Sequence, residues 1–350
     1  MTPEQTSLEN LRDPVHDPGV REARRRGDLA ADAPHKPLRV SGSGQLRIGT
    51  ASWTDPTLTE AGVFYPDGRS SAEERLRYYA ERFSLVEVDS TYYALPARRM
   101  AELWVERTPD DFRFNVKAHA LMTGQPSEVS RLPRALRDAL PAGLRAKRRI
   151  YGTELPPELT DEVWSLFREA MEPLRAASKL GAVLVQYPRW FMPNRENSDA
   201  ILEARERLAP LPVAIEVRNG RWLANEDRAD RFMKWLARHD LSYVVVDQPQ
   251  GLDTSVPPIS AIASPRLAVV RFHGRRTETW ERPEVGVLER FRYLYDEREL
   301  TEWVPRIVDL AGRAAETHVI MNNCYANYGT TNAAEFAQRF QRVTGATMLE

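Results

Sequence analysis

This sequence of 350 residues has very little cysteine, no marked charge imbalance and no long apolar run. Its single cysteine, Cys324, excludes an intramolecular disulfide framework and any metal site built from cysteine alone. With 49 Lys and Arg against 50 Asp and Glu, the charge balance argues against a global attraction to nucleic acid or to an anionic membrane, although a local patch could still act. No apolar run approaches the roughly 18 residues of a membrane helix, and no secretory pattern opens the chain. We therefore expect a cytoplasmic protein with no membrane partner.

The first 42 residues differ in composition from the rest. Residues 1–40 contain five prolines, many charged residues and no aromatic residue. Such a segment buries too little apolar surface to offset its ordering entropy, so we predict a disordered or loosely docked extension over 1–42 and one domain over 43–350. The run Arg24–Arg26 has acidic neighbours, Glu22 and Asp28, which favours a solvated segment over a polyanion site. Deleting residues 1–40 should change the thermal midpoint by no more than about 4 °C.

From residue 46 onward a short β-branched run followed by an amphipathic stretch recurs, which is typical of βαβ units. The eight runs are LRIGTAS (46–52), SLVEVDSTYY (84–93), FRFNVKAH (112–119), GAVLVQYP (181–188), VAIEVRN (213–219), SYVVVDQP (242–249), LAVVRFHG (267–274) and THVIMNN (317–323). The predicted strand starts are Leu46, Leu85, Phe112, Ala182, Val213, Tyr243, Ala268 and His318. An open doubly wound sheet would carry a Gly-rich phosphate turn after the first strand, and no GxGxxG follows Ile48. The pattern favours an α/β fold with a single (β/α)8 TIM barrel.

The intervening stretches predict helices. Residues 72–83 place Leu76, Tyr79, Ala80 and Phe83 on one face, and a further helix is expected around Leu159–Ala177. Within the irregular stretch before it, residues 131–149 carry seven basic residues and one acid. This basic stretch is either a solvated face, which is the favoured interpretation, or a lid that recruits an anionic ligand.

Polar residues occupy the carboxyl halves of the predicted strands. In a barrel, alternate side chains point inward, and active sites lie at the carboxyl ends of the strands. If the apolar residues take the helix-facing positions, the inward or end positions hold Glu87, Asp89, Lys117, Gln186, Glu216, Arg218, Asp247, Arg271, His273, Asn322 and Asn323. Buried ion pairs are a poor route to stability, because desolvating both charges often costs more than their attraction returns. So many charges at one end of a barrel therefore indicate a functional site, and we predict that Glu87, Glu216, Arg218, Asp247, Arg271 and His273 form one connected polar site.

Several motifs, taken together and in order, resemble the YecE-like family, also called domain of unknown function 72. They are IGTASW (48–53), VEVDSTYY (86–93), FRFNVKA (112–118), VQYP (185–188), AIEVRN (214–219), RFHG (271–274), RYLYDERELTEW (292–303) and MNN (321–323). The resemblance covers about 46–340 and implies a TIM barrel with a charged mouth, without bringing an established reaction. The family's first motif usually reads Gly-Thr-Ser-Gly-Trp, whereas Ala51 and Ser52 stand here before Trp53. The departure raises the question of which backbone role the second glycine has. Cys324 stands where variable residues are common, so we do not expect it to be a nucleophile.

The favoured function is an enzyme acting on a small polar or phosphorylated substrate. Its catalytic residues would be Glu87, Glu216 and Asp247 as general acid or base and His273 as proton shuttle. Its substrate-binding residues would be Thr50, Trp53, Asp89, Tyr92, Lys117, Gln186, Arg218, Arg271, Asn322 and Asn323. Arginine suits a carboxylate or phosphate because its guanidinium forms two parallel hydrogen bonds. Acids from several strands could also hold a divalent metal, but the cationic side chains compete for them, so no metal ligand or cofactor is assigned.

Two other classes stay open at this point. A nucleic-acid-binding protein or phosphodiesterase could use the basic stretch 131–149 with Trp53, Tyr92, Tyr93 and Trp190. A zinc nuclease needs several histidine ligands, whereas only His119 and His273, of six histidines, stand at strand ends. Weak nucleic-acid binding is compatible with the sequence, and so is a non-catalytic barrel that binds a ligand.

Overall fold

Strands form at the β-branched runs, because Val, Ile and Thr fit a pleated, buried surface. The computed structural model describes residues 17–40, 44–66, 68–69, 71–282 and 284–349. Its strands are β1 Leu38–Arg39, β2 Gln45–Ala51, β3 Leu85–Val88, β4 Arg113–Lys117, β5 Ser127–Glu128, β6 Arg149–Ile150, β7 Leu180–Gln186, β8 Val213–Glu216, β9 Ser242–Asp247, β10 Leu267–Phe272, β11 Glu316–Met321 and β12 Thr347–Met348. The largest differences from the eight predicted strand starts are two residues, at Ala182 against Leu180 and at His318 against Glu316.

Helices follow most of these strands. They are α1 Pro18–Leu29, α2 Pro56–Glu60, α3 Ala72–Ala80, α4 Arg98–Glu106, α5 Arg134–Ala139, α6 Ala142–Arg145, α7 Pro157–Ala176, α8 Arg195–Leu208, α9 Glu226–Arg238, α10 Thr277–Trp280, α11 Val287–Arg290, α12 Glu297–Arg313 and α13 Tyr328–Thr344. The predicted apolar face of the helix after the first strand is buried through Leu76, Tyr79, Ala80 and Phe83. Among the described residues, no helix is both long and apolar enough to cross a membrane.

Eight of the strands build the barrel. Their order in the sheet is β2, β3, β4, β7, β8, β9, β10 and β11, and β11 also pairs with β2, which closes the sheet. The chain therefore has the predicted (β/α)8 TIM-barrel fold. Outside the barrel strands, β1 pairs antiparallel with both β2 and β12.

The chain divides into two compact units. The first unit comprises the described residues up to Val86 and those from Tyr243 onward, and the second unit comprises Glu87–Ser242. In the first unit the parallel register aligns Asp247 with Phe272, Phe272 with Met321, and Met321 with Thr50. In the second unit it aligns Lys117 with Leu184 and Gln186 with Glu216. Each unit thus gathers the carboxyl ends of its own strands along one edge.

The amino-terminal segment differs from its prediction over residues 17–40. Helix α1 begins after Asp17, whose carboxylate accepts a hydrogen bond from Gly19 N at 2.8 Å. The helix buries Val20 and Ala23 in a cluster with Tyr325 and Tyr328. Val20 and Ala23 are enough to dock the helix, because Tyr325 and Tyr328 of the carboxyl-terminal segment give them an aromatic surface to pack against. Residues 1–16 and 41–42 of the predicted extension lie outside the described residues, and the boundary at residue 42 stays a prediction.

The basic stretch 131–149 has local partners for its charges. Glu128 pairs with three of its arginines, at 3.2 Å for Arg131 and Arg149 and 3.6 Å for Arg148. Lys147 pairs with Glu154 at 2.5 Å. These pairs favour the solvated-face interpretation over a lid held ready for an anion.

Candidate functional site

The carboxyl end of β8 in the second unit carries a buried ion pair. The Glu216 side chain is 0% exposed, whereas that of Arg218 retains 14% exposure. Arg218 Nε donates to Glu216 Oε1, and Arg218 Nη2 donates to Gln186 Oε1 at 3.1 Å. Because Gln186 stands opposite Glu216 in the register of β7 and β8, both strands fix this triad. The structure therefore brings together three residues that the sequence predicted for the site.

A second polar group lies at the ends of β3 and β4 in the same unit. Lys117 Nζ lies 4.5 Å from the centre of the Tyr92 ring. The Tyr92 hydroxyl donates to Gln125 Oε1 at 2.9 Å, and Gln125 Nε2 donates to the carbonyl of Gln186 at 3.1 Å. Burial raises the pKa of Tyr92 to about 12, so it acts as a neutral donor. Gln125, which links this group to β7, was missed by the sequence analysis because it lies in the loop after β4 with no distinctive pattern.

Asp247, at the carboxyl end of β9 in the first unit, is saturated by hydrogen-bond donors. Arg275 binds both oxygens, with Nε 2.8 Å from Oδ1 and Nη2 2.5 Å from Oδ2. Trp303 Nε1 donates to Oδ2 at 2.5 Å, and the Tyr295 hydroxyl donates to Oδ1 at 3.2 Å. Four donors on two oxygens make Asp247 an anchor for Arg275, and its predicted catalytic role stays a prediction.

Arg275 itself was missed by sequence reasoning. It follows Gly274, whose φ is 86° and whose added Cβ would meet Tyr293 Cβ at 2.6 Å. Arg275 Nη2 also contacts Glu302, so it bridges the strand end to helix α12. The RYLYDERELTEW motif contains the partners Tyr295, Glu302 and Trp303, and that motif was the available signal.

His273 lies one residue beyond β10 and is fully buried. Its Nδ1 is 2.8 Å from Asn322 Nδ2, so the amide donates and Nδ1 is the accepting nitrogen. The structure thus brings together His273 and Asn322, two residues that the sequence predicted for the site. Arg271, on β10, is buried with 1% exposure.

The remaining predicted binding residues of the first unit have structural contacts. The Thr50 hydroxyl donates to the Ser52 carbonyl at 3.0 Å and lies 2.9 Å from the Tyr79 hydroxyl. Trp53 is buried, and its carbonyl accepts from Tyr65. Asn323 Nδ2 donates to Asn332 Oδ1 and to the Tyr293 carbonyl, both at 2.8 Å, and so braces the loop before α12. A substrate-binding role for these residues stays a prediction.

Ser52 explains the departure from the family's glycine motif. Its φ is 71°, in the left-handed region that glycine adopts without strain. Thr54 N donates to Ser52 Oγ at 3.1 Å, and this local bond offsets part of the strain. The position therefore keeps the backbone conformation that glycine would serve. Cys324 Sγ donates to the carbonyl of Ala51 at 2.8 Å, a contact that suits a structural thiol.

Glu87 and Asp89 lie on and just after β3, with Glu87 fully buried and Asp89 preceding the short 3-10 turn Ser90–Tyr92. The prediction that Glu87, Glu216, Arg218, Asp247, Arg271 and His273 form one connected site stays a prediction.

Among the residues that the structure describes, no group of three or more His, Cys, Asp and Glu is arranged to hold a metal ion. His119 faces Ser127 at 3.4 Å, and burial lowers its pKa from 6.5 to about 4.

Comparison with known proteins places these motifs in a family. The family described as "Protein of unknown function DUF72" matches residues 47–349. The UPF0759 protein YunF of Bacillus subtilis is 28% identical over 286 residues, covering 79% of this chain and 88% of that protein. The UPF0759 protein YecE of Escherichia coli K12 is 26% identical over 203 residues, covering 58% of this chain and 59% of YecE.

Solved structures of DUF72 family proteins show the same fold. One from Enterococcus faecalis V583 has a TM-score of 0.65 at 24% identity and covers 87% of this chain and 99% of its own. Another, from Thermotoga maritima MSB8, has a TM-score of 0.65 at 29% identity and covers 83% of this chain and 97% of its own. With a family match across the whole barrel, this chain belongs to the DUF72 family of proteins of unknown function.

Proposed function

We propose that this protein is an enzyme that acts on a small polar or phosphorylated substrate, with Glu216 as the proton-transferring carboxylate and Arg218 as the anion-binding group. The observation that carries the proposal is the asymmetry of this pair: the carboxylate is fully buried, whereas the guanidinium is partly exposed. Active sites of this fold lie at the carboxyl ends of the strands, and that is where β8 ends.

A purely structural role explains the pair poorly. Desolvating two charges costs several kcal/mol per ion, and apolar residues of similar volume usually serve stability as well or better. Arginine, in contrast, is the residue best suited to a carboxylate or phosphate, because its planar fork matches both oxygens. The guanidinium of Arg218 would attract an anionic substrate and donate hydrogen bonds to it, which an apolar side chain cannot do.

The pair also suggests how binding would prepare the carboxylate. Arg218 favours the ionised form of Glu216 while the two are paired. A substrate anion that binds Arg218 offsets the positive charge felt by Glu216, so protonation of Glu216 becomes easier. Glu216 would then accept a proton in the bound state, as a general base in a partly desolvated site does. Gln186 holds Arg218 from the neighbouring strand and fixes its direction.

The test combines binding and turnover in the full chain. Inorganic phosphate and a panel of hexose phosphates and small hydroxycarboxylates would be screened by thermal shift, and substrates that stabilise the protein would then be followed for conversion. We expect Arg218→Gln to lose the stabilisation, and Glu216→Gln to keep binding but lose conversion by about a hundredfold or more.

Arg205→Gln is the matched control, because Arg205 pairs with Asp240 at 3.2 Å on the surface of the same unit. Its thermal shift and conversion should equal those of the unmodified protein. Equal stabilisation of the Arg218→Gln variant and the unmodified protein, or unchanged conversion by Glu216→Gln, would overturn the assignment.

A further inference from the structure

A cleft of about 560 Å³ lies on the outer helices of the second unit, between the first turn of α8 and one face of α9. Its lining includes Arg195, Trp222, Arg228, Arg231, Trp235 and Arg238. We propose that this cleft binds single-stranded nucleic acid. The proposal is independent of the catalytic role of Glu216, which lies at a strand end in the barrel.

Helix α9 arranges the basic residues in a line. Arg228, Arg231, Trp235 and Arg238 follow one another at steps of three, four and three residues. At about 100° per residue these steps keep all four within an arc of about 80°, over a length of about 15 Å. The acidic residues of α9, Glu226, Asp227 and Asp230, fall outside that arc. One stripe of the helix is therefore purely basic and aromatic.

The charge of this stripe is not neutralised locally. No acidic residue is among the described residues that line the cleft. Arg228 donates to the backbone carbonyl of Arg221 at 3.0 Å, and neither Arg231 nor Arg238 forms an ion pair with a described residue. Arg195 is 96% exposed, and its ion pair with Asp199 is long at 3.8 Å and therefore weak. This is unlike the basic stretch 131–149, where Glu128 alone holds three arginines.

Helix α8 adds a further source of positive potential. Arg195 is the first residue of this helix of 14 residues, and Asn194 caps it. The amino-terminal end of a helix carries unpaired N–H groups and a partial positive charge, which favour a phosphate. Together with four arginines, this end makes the cleft attractive to an anion in a chain whose formal net charge is -1.

The aromatic residues distinguish nucleic acid from other anions. Trp222, Phe232 and Trp235 follow one another with ring centres 4.9 Å and 6.1 Å apart, and the Phe232 and Trp235 rings are nearly parallel at 16°. Trp222 and Phe232 are buried, whereas Trp235 lines the cleft and is only partly buried. Bases stack on an exposed aromatic ring without regard to sequence, so Trp235 would favour a nucleic acid over inorganic phosphate. A stripe of about 15 Å accommodates about four stacked nucleotides at about 3.4 Å each.

The experiment measures binding of fluorescently labelled 12-nucleotide dT and rU strands to the full chain by anisotropy, at several salt concentrations. If three or four arginines contact phosphates, the logarithm of the affinity should fall with the logarithm of salt at a slope of about −2 to −3. The variant with Arg231→Gln and Arg238→Gln together should lower that slope by about 1.4. Trp235→Leu should weaken binding by about tenfold and leave the slope unchanged.

Lys234→Gln is the matched control. It removes one charge from the same helix, but Lys234 is paired with Asp230 at 2.7 Å and does not line the cleft, so binding should stay within about twofold of the unmodified protein. Thermal melts of all variants separate loss of binding from loss of fold. If Trp235→Leu lowers stability, the variant with both Arg231→Gln and Arg238→Gln still tests the proposal.

Binding of either strand with these responses supports the proposal, and the dT and rU strands separate DNA from RNA. Three results would overturn it: no binding, equal salt slopes for the unmodified protein and the arginine variant, or competition by inorganic tripolyphosphate as strong as that by unlabelled strand. The last result would identify a simple anion site.

Discussion

Arg26 and Glu335 form a two-point ion pair that fastens α1 to α13. Arg26 Nε donates to Glu335 Oε1 at 2.7 Å, and Arg26 Nη2 donates to Oε2 at 2.6 Å. The two side chains are only 15% and 18% exposed. Arg26 Nη2 also donates to the carbonyl of Tyr295, whose hydroxyl binds Asp247. The amino-terminal helix is thus linked, through one residue, to the anchor carboxylate at the end of β9.

Removing one partner of this pair should cost more than removing both. Arg26→Ala leaves a largely buried carboxylate with one fewer donor, so we expect a loss of about 2 kcal/mol in the free energy of unfolding, and less for the double variant with Glu335→Ala. Chemical denaturation of both variants measures the difference. Arg25→Ala is the control, since its pair with Glu22 is 63% and 47% exposed and should contribute under about 1 kcal/mol. Equal losses for Arg25→Ala and Arg26→Ala would contradict the role of the pair.

Deletion of residues 1–40 should destabilise the protein, contrary to the expectation from composition alone. The deletion removes Val20 and Ala23 from the cluster and exposes Tyr325 and Tyr328 to solvent. Together with the loss of Arg26, this should lower the thermal midpoint by more than about 4 °C. Differential scanning calorimetry of the truncated and full chains measures the shift. An unchanged midpoint would mean that α1 contributes no net stability.

Ser52→Gly should stabilise the fold. A non-glycine residue in the left-handed region costs about 1 kcal/mol, and glycine at φ 71° avoids that cost. The gain should be at most about 1 kcal/mol, because the bond from Thr54 N to Ser52 Oγ is lost and glycine is more flexible in the unfolded chain. Ser52→Ala keeps the strain and loses the bond, so it should be destabilising. Denaturation midpoints that rank Ala above Gly would refute this explanation of the motif.

Asp247→Asn should damage the fold more than any surface change of the same kind. The amide presents a donor group to Arg275, Trp303 and Tyr295, all of which donate to Asp247, so we expect a loss of about 3 kcal/mol or more. Asp240→Asn is the control, because Asp240 forms a more exposed pair with Arg205 and should lose under about 1 kcal/mol. Urea titration distinguishes the two. A stable Asp247→Asn protein with altered turnover would instead support the general acid or base role predicted from the sequence.

His119 should make stability fall as the solution is acidified. Its pKa is lowered by burial from 6.5 to about 4, so the folded protein holds this ring neutral while the unfolded chain protonates it below pH 6.5. The stability contributed by the neutral ring is fully present above pH 6.5 and is lost as pH falls towards 4. The loss in the free energy of unfolding should be about 2 kcal/mol at pH 5. His119→Gln should remove this part of the difference between pH 7.5 and pH 5 in urea denaturation. His35→Gln, at an exposed position, should leave the difference unchanged, and equal pH responses of all three proteins would contradict the assignment.

The barrel could be predicted from the sequence alone. Eight β-branched runs separated by helical stretches are a local pattern, and backbone propensity together with burial reproduces it as strands that start close to the predicted residues. The alternation of Val213 and Ile215 with Glu216 likewise indicated which residues of β8 are candidates for the site. Gln186, Glu216 and Arg218 could be grouped from the sequence because each stands at a strand end.

Tertiary structure alone decided which charges neutralise each other. Arg275 and Trp303 reach Asp247 from 28 and 56 residues away in the sequence, and no local pattern encodes such pairs. The docking of α1 could not be predicted from the sequence either, because the aromatic surface that buries Val20 lies more than three hundred residues later, at Tyr325 and Tyr328. Side-chain pairing depends on distance in space, whereas strand and helix formation depends mainly on neighbours along the chain. That difference is why the sequence predicted the positions of the strand ends, whereas the structure was needed to show that Arg275, Trp303 and Tyr295 all donate to Asp247.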